Sequence, residues 1–317
     1  AALGYHAVTV GNHEFDFGPV GPAATPEHDR DDPRGALRAR AKEAPFPFLM
    51  ANIRQRGGGE LQYENMPPSA PIRVGTVDVG LIGVTTEDTL TTTIAGNVSD
   101  LEMLPIPEVL VREASALRKR GAHVVVALAH AGGKCENFSG KIEGDRCEER
   151  SEIFHVARKL PRGTLDAIVA GHTHAGLAHE VNGIPIIEQH AHGRAFGRID
   201  LALEDGKVLG HRLHPPQDLC PGEKKPDFAT CSPVLYESLP VERDARVAQA
   251  IAPALLAAEE RKQALVGVEL EAPFARDYDS EGPRGSLIAV LRREAEPDAD
   301  VAVMNVGGRR AELPAGK

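Results

Sequence analysis

The sequence lacks any apolar run long enough to cross a lipid bilayer. A membrane-spanning helix needs roughly 20 apolar residues, whereas the longest apolar runs here, such as Val124 to Ala129 and Leu165 to Ala170, have the length of a strand. We therefore expect no transmembrane segment. Ala1 to Val10 also lacks the basic region of a signal peptide, so we expect the true start, with any signal peptide, to lie upstream.

Positive charge is also in short supply. The chain has 36 Lys and Arg against 46 Asp and Glu, which gives a formal net charge of -10. Nucleic-acid polymers are bound by extended basic surfaces that replace phosphate counterions. The acidic balance therefore opposes a nucleic-acid polymer as the partner, but it is compatible with a small phosphate ester held by metal ions.

Cysteine is scarce, and its spacing is informative. The four cysteines form two close pairs, Cys135 with Cys147 and Cys220 with Cys231, each in a stretch typical of a loop. Two local disulfides are the favoured interpretation. Free thiols and a zinc site are the alternatives, although neither pair has the spacing of about two to four residues that zinc ligands show. Disulfides predict an oxidising compartment, either the periplasm or the cell exterior.

The pattern of apolar residues predicts the α/β class. With 42% hydrophobic and 26% charged residues, the composition is that of a globular protein. Amphipathic stretches at Pro107 to Arg120 and Ser151 to Leu160 predict helices. They alternate with short apolar runs that predict buried strands at Ala7 to Val10, Val79 to Thr85, Val124 to Ala129 and Leu165 to Ala170. Such alternation is typical of a sheet flanked by helices.

The later part of the chain predicts a domain boundary. The final strand pattern, at Gly197 to Leu203, is followed by a stretch rich in Pro, Gly and Lys that carries the second cysteine pair. We therefore divide the chain into a first domain at 1–215, a linker at 216–240 and a second, incomplete domain at 241–317. Helices are expected in the second domain at Val241 to Leu265 and at Gly285 to Arg293.

Three polar motifs each follow a predicted strand. The first is Gly11-Asn12-His13-Glu14-Phe15-Asp16, where we expect Gly11 to allow a sharp turn. Asn12 can offer a metal its amide oxygen, and His13 can contact a phosphate while Asp16 accepts its other ring proton. The others are His130-Ala131-Gly132-Gly133 and Gly171-His172-Thr173-His174. On an extended chain, His172 and His174 would point the same way and face one site.

Together, GNHEFD, HAGG and GHTH in this order resemble the calcineurin-like metallophosphoesterases, and the longer form GNHEFDFG resembles the 5'-nucleotidase branch. The resemblance implies a β-sandwich flanked by helices, with α/β/β/α layers, followed by a truncated α/β substrate domain. It also implies two divalent metal ions, such as Zn or Mn. Asn12, His130 and His172 would bind one ion and His174 the other. His13 and Asp16 would form the catalytic dyad, and further metal ligands would lie upstream.

The resemblance extends to a substrate motif near the end of the chain. The family pattern Asn-x-Gly-Gly-x-Arg is matched by Asn305, Gly307, Gly308 and Arg310, which would hold the substrate. Arg309 stands where the family has an apolar residue, so the guanidinium could come from either arginine. His190 and His192 also lie two apart after an apolar run, but the family pattern has no ligand there, and a solvated loop is expected.

The implied activity is hydrolysis of phosphate esters by a metal-bridged hydroxide, with nucleoside 5'-monophosphates as the leading substrates. The alternatives on the same fold are a nucleotide-sugar pyrophosphatase, a 2',3'-cyclic nucleotide phosphodiesterase and a thiosulfohydrolase. A non-catalytic binding protein is the alternative from a different class. The expected partner is a small nucleotide or another phosphate ester. A single amide, imidazole or carboxylate is also common in ordinary turns, so the interpretation depends on the three motifs occurring together.

Overall fold

A computed structural model of the chain divides it into two compact units, Ala1–Arg243 and Asp244–Lys317. The structure describes residues 2–142, 144–220, 231–232, 234–265, 267–274, 282–296, 298–303 and 313–316. The described part contains no helix with the length and apolar character of a membrane span. The roles of the two domains stay a prediction.

The first unit contains both strands and helices. Its strands are β1 (Val8–Thr9), β2 (Phe48–Leu49), β3 (Ile53–Gln55), β4 (Ser69–Val74), β5 (Val77–Thr85), β6 (Leu101–Met103), β7 (Val124–His130), β8 (Ala167–Ala170), β9 (Gly176–Val181), β10 (Ile184–Gln189), β11 (Ala195–Glu204), β12 (Lys207–Asp218), β13 (Leu235–Tyr236) and β14 (Leu239–Pro240). Its helices are a 3-10 helix (Asn12–Phe17), α1 (Gly35–Glu43), α2 (Thr89–Thr92), α3 (Ala95–Val98), α4 (Ile106–Lys119) and α5 (Glu152–Lys159).

A six-stranded sheet in the order β4-β5-β7-β8-β10-β9 forms the centre of this unit. Strands β5, β7, β8 and β10 are parallel, whereas β4 and β9 pair antiparallel at the two edges. Thr85 pairs with His130, and Ala129 pairs with Ala170, so these parallel strands end at one edge of the sheet. Ligands of open α/β sheets bind at this carboxyl edge.

The short strand β1 brings the first motif to the same edge. It pairs in parallel with β2, and the hydroxyl of Thr9 donates to the carbonyl oxygen of Val84 at 3.2 Å. The hydroxyl of Thr85 donates to the carbonyl oxygen of Val10. Because these bonds join the end of β1 to the end of β5, the 3-10 helix begins beside the strands that carry the other two motifs.

Helices α4 and α5 cover the sheet with their apolar faces. Helix α4 buries Ile106, Leu110 and Leu117, and α5 buries Ile153 and Phe154. These side chains share one core cluster with residues of β5 and β7. Full burial of one such side chain stabilises the fold by about 1.5–3 kcal/mol before conformational entropy is counted. The predicted helices at 107–120 and 151–160 are thus present with shifts of one residue at their ends.

The strand at Ala195–Glu204 is not the last one, which corrects the sequence analysis. It forms a hairpin with β12, which runs to Asp218, and the turn Asp205-Gly206 has φ values of 48° and 75°. Positive φ at both central residues is the type I′ geometry that Asp-Gly favours between strands. The sequence pattern of β12 is weak because apolar and polar residues alternate little along the strand.

Both predicted disulfides are present. Cys135 is bonded to Cys147, and Cys220 is bonded to Cys231, which accounts for all four cysteines. The imidazole Nε2 of His179 lies 3.7 Å from the sulfur of Cys147. Because the two sulfurs are joined, they are not free to serve as thiolate ligands of zinc.

The second unit contains helices α6 (Ala245–Gln263) and α7 (Pro283–Ala295). The carboxylate of Asp244 caps α6 by accepting hydrogen bonds from the backbone N–H groups of Arg246 and Val247, at 2.8 and 3.3 Å. The predicted substrate residues Asn305, Gly307, Gly308 and Arg310, with Arg309, lie outside the described residues. Their role stays a prediction.

Candidate functional site

The first motif forms a 3-10 helix whose N-terminus is capped by the side chain of Glu14. A carboxylate oxygen of Glu14 accepts a hydrogen bond from the backbone N–H of Gly11 at 2.7 Å, and Phe15 anchors the helix in a second core cluster. Gly11 has φ -99° and ψ 177°, which any residue adopts. The expectation of a turn that requires glycine is therefore wrong. Glycine is needed for space, since a Cβ there would lie 2.6 Å from Glu14 and 2.7 Å from the His130 ring.

Asn12, His130 and His172 converge although they come from three separate segments. The amide oxygen of Asn12 lies 2.9 Å from Nε2 of His130, and Nδ1 of His172 lies 3.2 Å from the same nitrogen. Asn12 is 1% exposed, and its amide nitrogen donates to the hydroxyl and the carbonyl oxygen of Thr92 at 3.1 and 3.3 Å. The nitrogen of the amide is thus occupied, and its oxygen faces the histidines.

Burial and neighbouring imidazoles disfavour the protonated forms of His130 and His172. Burial lowers the pKa of His130 to about 4, and the neighbouring His172, His13 and His174 add to the effect. Burial also lowers the pKa of His172, again with a contribution from His13 and His174. A neutral imidazole has a free lone pair, which a metal ligand requires. One amide oxygen and two imidazole nitrogens in contact are a donor set that fits a divalent ion of the zinc or manganese type.

His174 lies on the same loop as His172, but the loop is not extended. His172 has φ 84° and His174 has φ 58°, so both residues are in the left-handed region. The argument that residues two apart on an extended chain share a direction therefore does not apply here. The His174 ring lies 5.8 Å from the ring of His192, and the backbone N–H of His190 donates to the carbonyl of Ala175 at 2.9 Å. The His190–His192 loop thus packs beside the GHTH loop.

His13 and Asp16 are in direct contact. Nδ1 of His13 lies 2.5 Å from a carboxylate oxygen of Asp16, and their side chains are 48% and 32% exposed. The other oxygen of Asp16 accepts a hydrogen bond from the hydroxyl of Thr93 at 2.5 Å. Burial raises the pKa of Asp16, but the bonds from Thr93 and His13 outweigh it, and the net pKa lies below the usual range. An ionised Asp16 can therefore orient the exposed imidazole of His13.

Glu188 is a residue of this region that sequence analysis missed. It is fully buried at the end of β10, and its carboxylate accepts hydrogen bonds from the HAGG and GHTH loops. Burial raises the pKa of Glu188 to about 7, although hydrogen bonds from Thr173 and Gly133 lower it. The available signal was a single acidic residue directly after the apolar run Ile184 to Ile187, because a charge in such a position is rarely buried without partners.

Two curated proteins are similar to this chain over about two thirds of its length. The chain is 29% identical over 237 residues to silent protein UshA(0) of Salmonella typhimurium. The aligned region covers 67% of this chain and 38% of that protein. It is 29% identical over 230 residues to snake venom 5'-nucleotidase of Gloydius brevicauda, which covers 66% of this chain and 33% of that protein. The chain thus spans well under half the length of these curated relatives. No family model matches the chain.

Solved structures confirm the fold class. The 5'-nucleotidase precursor from Thermus thermophilus superposes with a TM-score of 0.63 at 21% identity, covering 99% of this chain and 56% of that chain. The calcineurin-like phosphoesterase YfkN from Bacillus subtilis superposes with a TM-score of 0.59 at 23% identity, covering 83% and 73% of the two chains. The calcineurin-like metallophosphoesterase fold predicted from the three motifs is therefore confirmed.

Proposed function

We propose that this chain, which is similar to 5'-nucleotidases, belongs to that family and acts as a metal-dependent hydrolase of phosphate esters, with nucleoside 5'-monophosphates as its substrates. The observation that supports this function is the convergence of Asn12, His130 and His172 at one edge of the sheet, with His13 and Asp16 on the same 3-10 helix as Asn12. Two metal ions supply a nucleophile and neutralise charge on the phosphoryl group, and a positioned donor stabilises the charge that develops in the transition state.

The ligand roles follow from the donor atoms. Asn12, His130 and His172 would hold one divalent ion through an amide oxygen and two imidazole nitrogens, and His174 would bind the second ion. When two ions are bound, they supply a nucleophile at neutral pH and neutralise charge on the phosphoryl oxygens. Thr92 fixes the amide of Asn12, so that its oxygen stays directed toward the histidines.

His13 acts on the substrate in this proposal. Its Nδ1 is held by Asp16 at 2.5 Å, and its Nε2 would donate a hydrogen bond to a phosphoryl or leaving-group oxygen. Negative charge develops on these oxygens in the transition state, so a positioned imidazolium stabilises that state more than the ground state. Asp16 itself is oriented by Thr93. The chain of contacts from Thr93 through Asp16 to His13 thus preorganises the donor.

We also propose a cellular location for the protein and a set of residues that contact the substrate. Two disulfides favour an oxidising compartment, so we assign the protein to the periplasm or the cell exterior. Asn305, Gly307, Gly308 and Arg310 are proposed to hold the nucleotide, as the match to the family motif predicts. The partner is a small molecule rather than a nucleic-acid polymer, because the net charge of -10 opposes a polyanion.

A substrate panel tests the function. The full-length protein, loaded with Mn²⁺ or Zn²⁺, should hydrolyse AMP faster than a UDP-sugar, 2',3'-cyclic AMP or a protein-bound thiosulfonate. His155 is an exposed histidine on α5, so His155→Ala is the matched control and should retain wild-type turnover. Faster turnover of another panel member would reassign the substrate. Binding of AMP without turnover of any compound would favour the non-catalytic alternative.

A further inference from the structure

Glu188 is a buried carboxylate at the edge of the sheet where the candidate site lies. It directly follows Ile187, which pairs with Val169 of the parallel strand β8, and its side chain is 0% exposed. Burying a carboxylate is costly unless hydrogen-bond donors satisfy it. The identity of those donors therefore shows which parts of the chain Glu188 holds.

The donors come from two different loops. One carboxylate oxygen of Glu188 accepts a hydrogen bond from the backbone N–H of Gly133 at 3.1 Å. The other accepts from the backbone N–H of Thr173 at 3.1 Å and lies 2.7 Å from its hydroxyl. That hydroxyl is also 2.7 Å from the carbonyl oxygen of Gly133. Each loop is thus bonded to Glu188, and the two loops are bonded to each other.

These loops carry the ligands assigned above. Gly133 follows His130 by three residues, and Thr173 stands between His172 and His174. The distance of 3.2 Å between His130 Nε2 and His172 Nδ1 depends on how the two loops lie against each other. Removal of the carboxylate would leave the backbone N–H groups of Gly133 and Thr173 without this acceptor.

We propose that Glu188 is a positioning residue, which fixes the HAGG and GHTH loops to each other so that His130 and His172 meet at one metal ion. This inference rests on the proposed function, because the imidazoles are taken as ligands. Its physical basis is that groups behind metal ligands set ligand orientation, and their loss weakens metal binding by about 10- to 100-fold. Glu188 does this through backbone and hydroxyl groups rather than through the imidazoles themselves.

Two substitutions and one control test the role. Glu188→Ala removes both acceptors and should weaken Mn²⁺ binding by about 10-fold or more. Glu188→Gln retains a carbonyl oxygen for Thr173 but places an NH₂ group against the N–H of Gly133, so its affinity should fall between those of Glu188→Ala and the wild type. Glu180 is a part-exposed glutamate on β9 that pairs with His211, and Glu180→Gln should leave Mn²⁺ affinity unchanged.

The readouts are the Mn²⁺ dissociation constant, the visible absorption of bound Co²⁺ and the separate values of kcat and KM, all in the full-length protein. Weaker binding, an altered Co²⁺ spectrum and lower kcat with little change in KM would support the role. If Glu188→Ala does not fold, Glu188→Gln decides. Wild-type affinity and spectrum in Glu188→Gln would overturn the positioning role alone. A wild-type protein that binds no metal would overturn the proposed function together with it.

Discussion

Alanine at position 11 should damage the candidate site through lack of space. The backbone of Gly11, at φ -99° and ψ 177°, accepts alanine without strain. The added Cβ, however, would lie 2.6 Å from a Glu14 oxygen and 2.7 and 2.8 Å from two atoms of the His130 ring. Contacts this short force neighbours to move. The Glu14 carboxylate can swing away, but it then loses its 2.7 Å bond to the N–H of residue 11.

The magnitude follows from two contributions. Overpacking of a close-packed site costs about 1–3 kcal/mol, and loss of the Glu14 hydrogen bond costs about 0.5–1.5 kcal/mol. Gly11→Ala should therefore lower the free energy of unfolding by about 1.5–4.5 kcal/mol. Because the His130 ring must also shift, metal affinity should fall as well, which a purely structural change at a distant position would not cause.

Urea denaturation and Mn²⁺ titration measure the two effects, and Gly210 provides the control. No atom lies within 4 Å of a Cβ built on Gly210, so Gly210→Ala should be neutral or stabilising by about 0.4–1 kcal/mol. Unchanged stability and metal affinity in Gly11→Ala would show that the close approach of residue 11 to His130 is wrong.

Three further predictions concern other parts of the first unit. His13→Ala should lower kcat by about 100-fold or more without loss of metal, whereas Asn12→Ala should lose metal, as metal analysis beside kinetics will show. Asp100→Asn should cost about 1–2 kcal/mol at neutral pH by urea denaturation. A hydrogen bond from Arg34 lowers the pKa of Asp100 in the folded protein. The stability that this pair contributes is therefore fully present above the unfolded-state pKa of about 3.9 and is lost as the pH falls through the lower folded-state pKa. Below that pH the variant and the wild type should be equally stable. Opening the disulfide of the 135–147 loop by paired Cys→Ser substitutions should cost about 3 kcal/mol in thermal unfolding.

The strands that precede the motifs could be predicted from the sequence, because each ends where an apolar run is followed by a polar cluster. Strand β7, for example, ends at His130 itself, one residue beyond the predicted run. The hairpins were missed although their signals were present. Asn182-Gly183 has φ values of 54° and 80°, and it joins β9 to β10 with the same type I′ geometry as Asp205-Gly206. Turn dipeptides would therefore have located both hairpins.

The contact between residues of different motifs could not be predicted from their spacing in the sequence. Asn12 and His130 are 118 residues apart, and their contact depends on β1 lying beside β5 and on the sheet order β5-β7-β8-β10. That order is a property of pairing between distant strands, which local patterns do not encode. Only the resemblance to a known family predicted that these two residues share a metal. The role of Glu188 was hidden for the same reason, since its partners come from two distant loops.

The loops that carry the histidines have strained backbone conformations. His172, His174, His190 and His192 all have positive φ values, between 29° and 84°. Each such residue costs of order 1 kcal/mol relative to glycine in the same conformation. A glycine at these positions would relieve the strain but would carry no imidazole. The strain therefore persists only where surrounding contacts hold the loop, and Glu188 supplies those contacts for the GHTH loop through the backbone and hydroxyl of Thr173. The same hydrogen bonds from Thr173 to Glu188 thus hold the strained backbone of the GHTH loop and position its imidazoles.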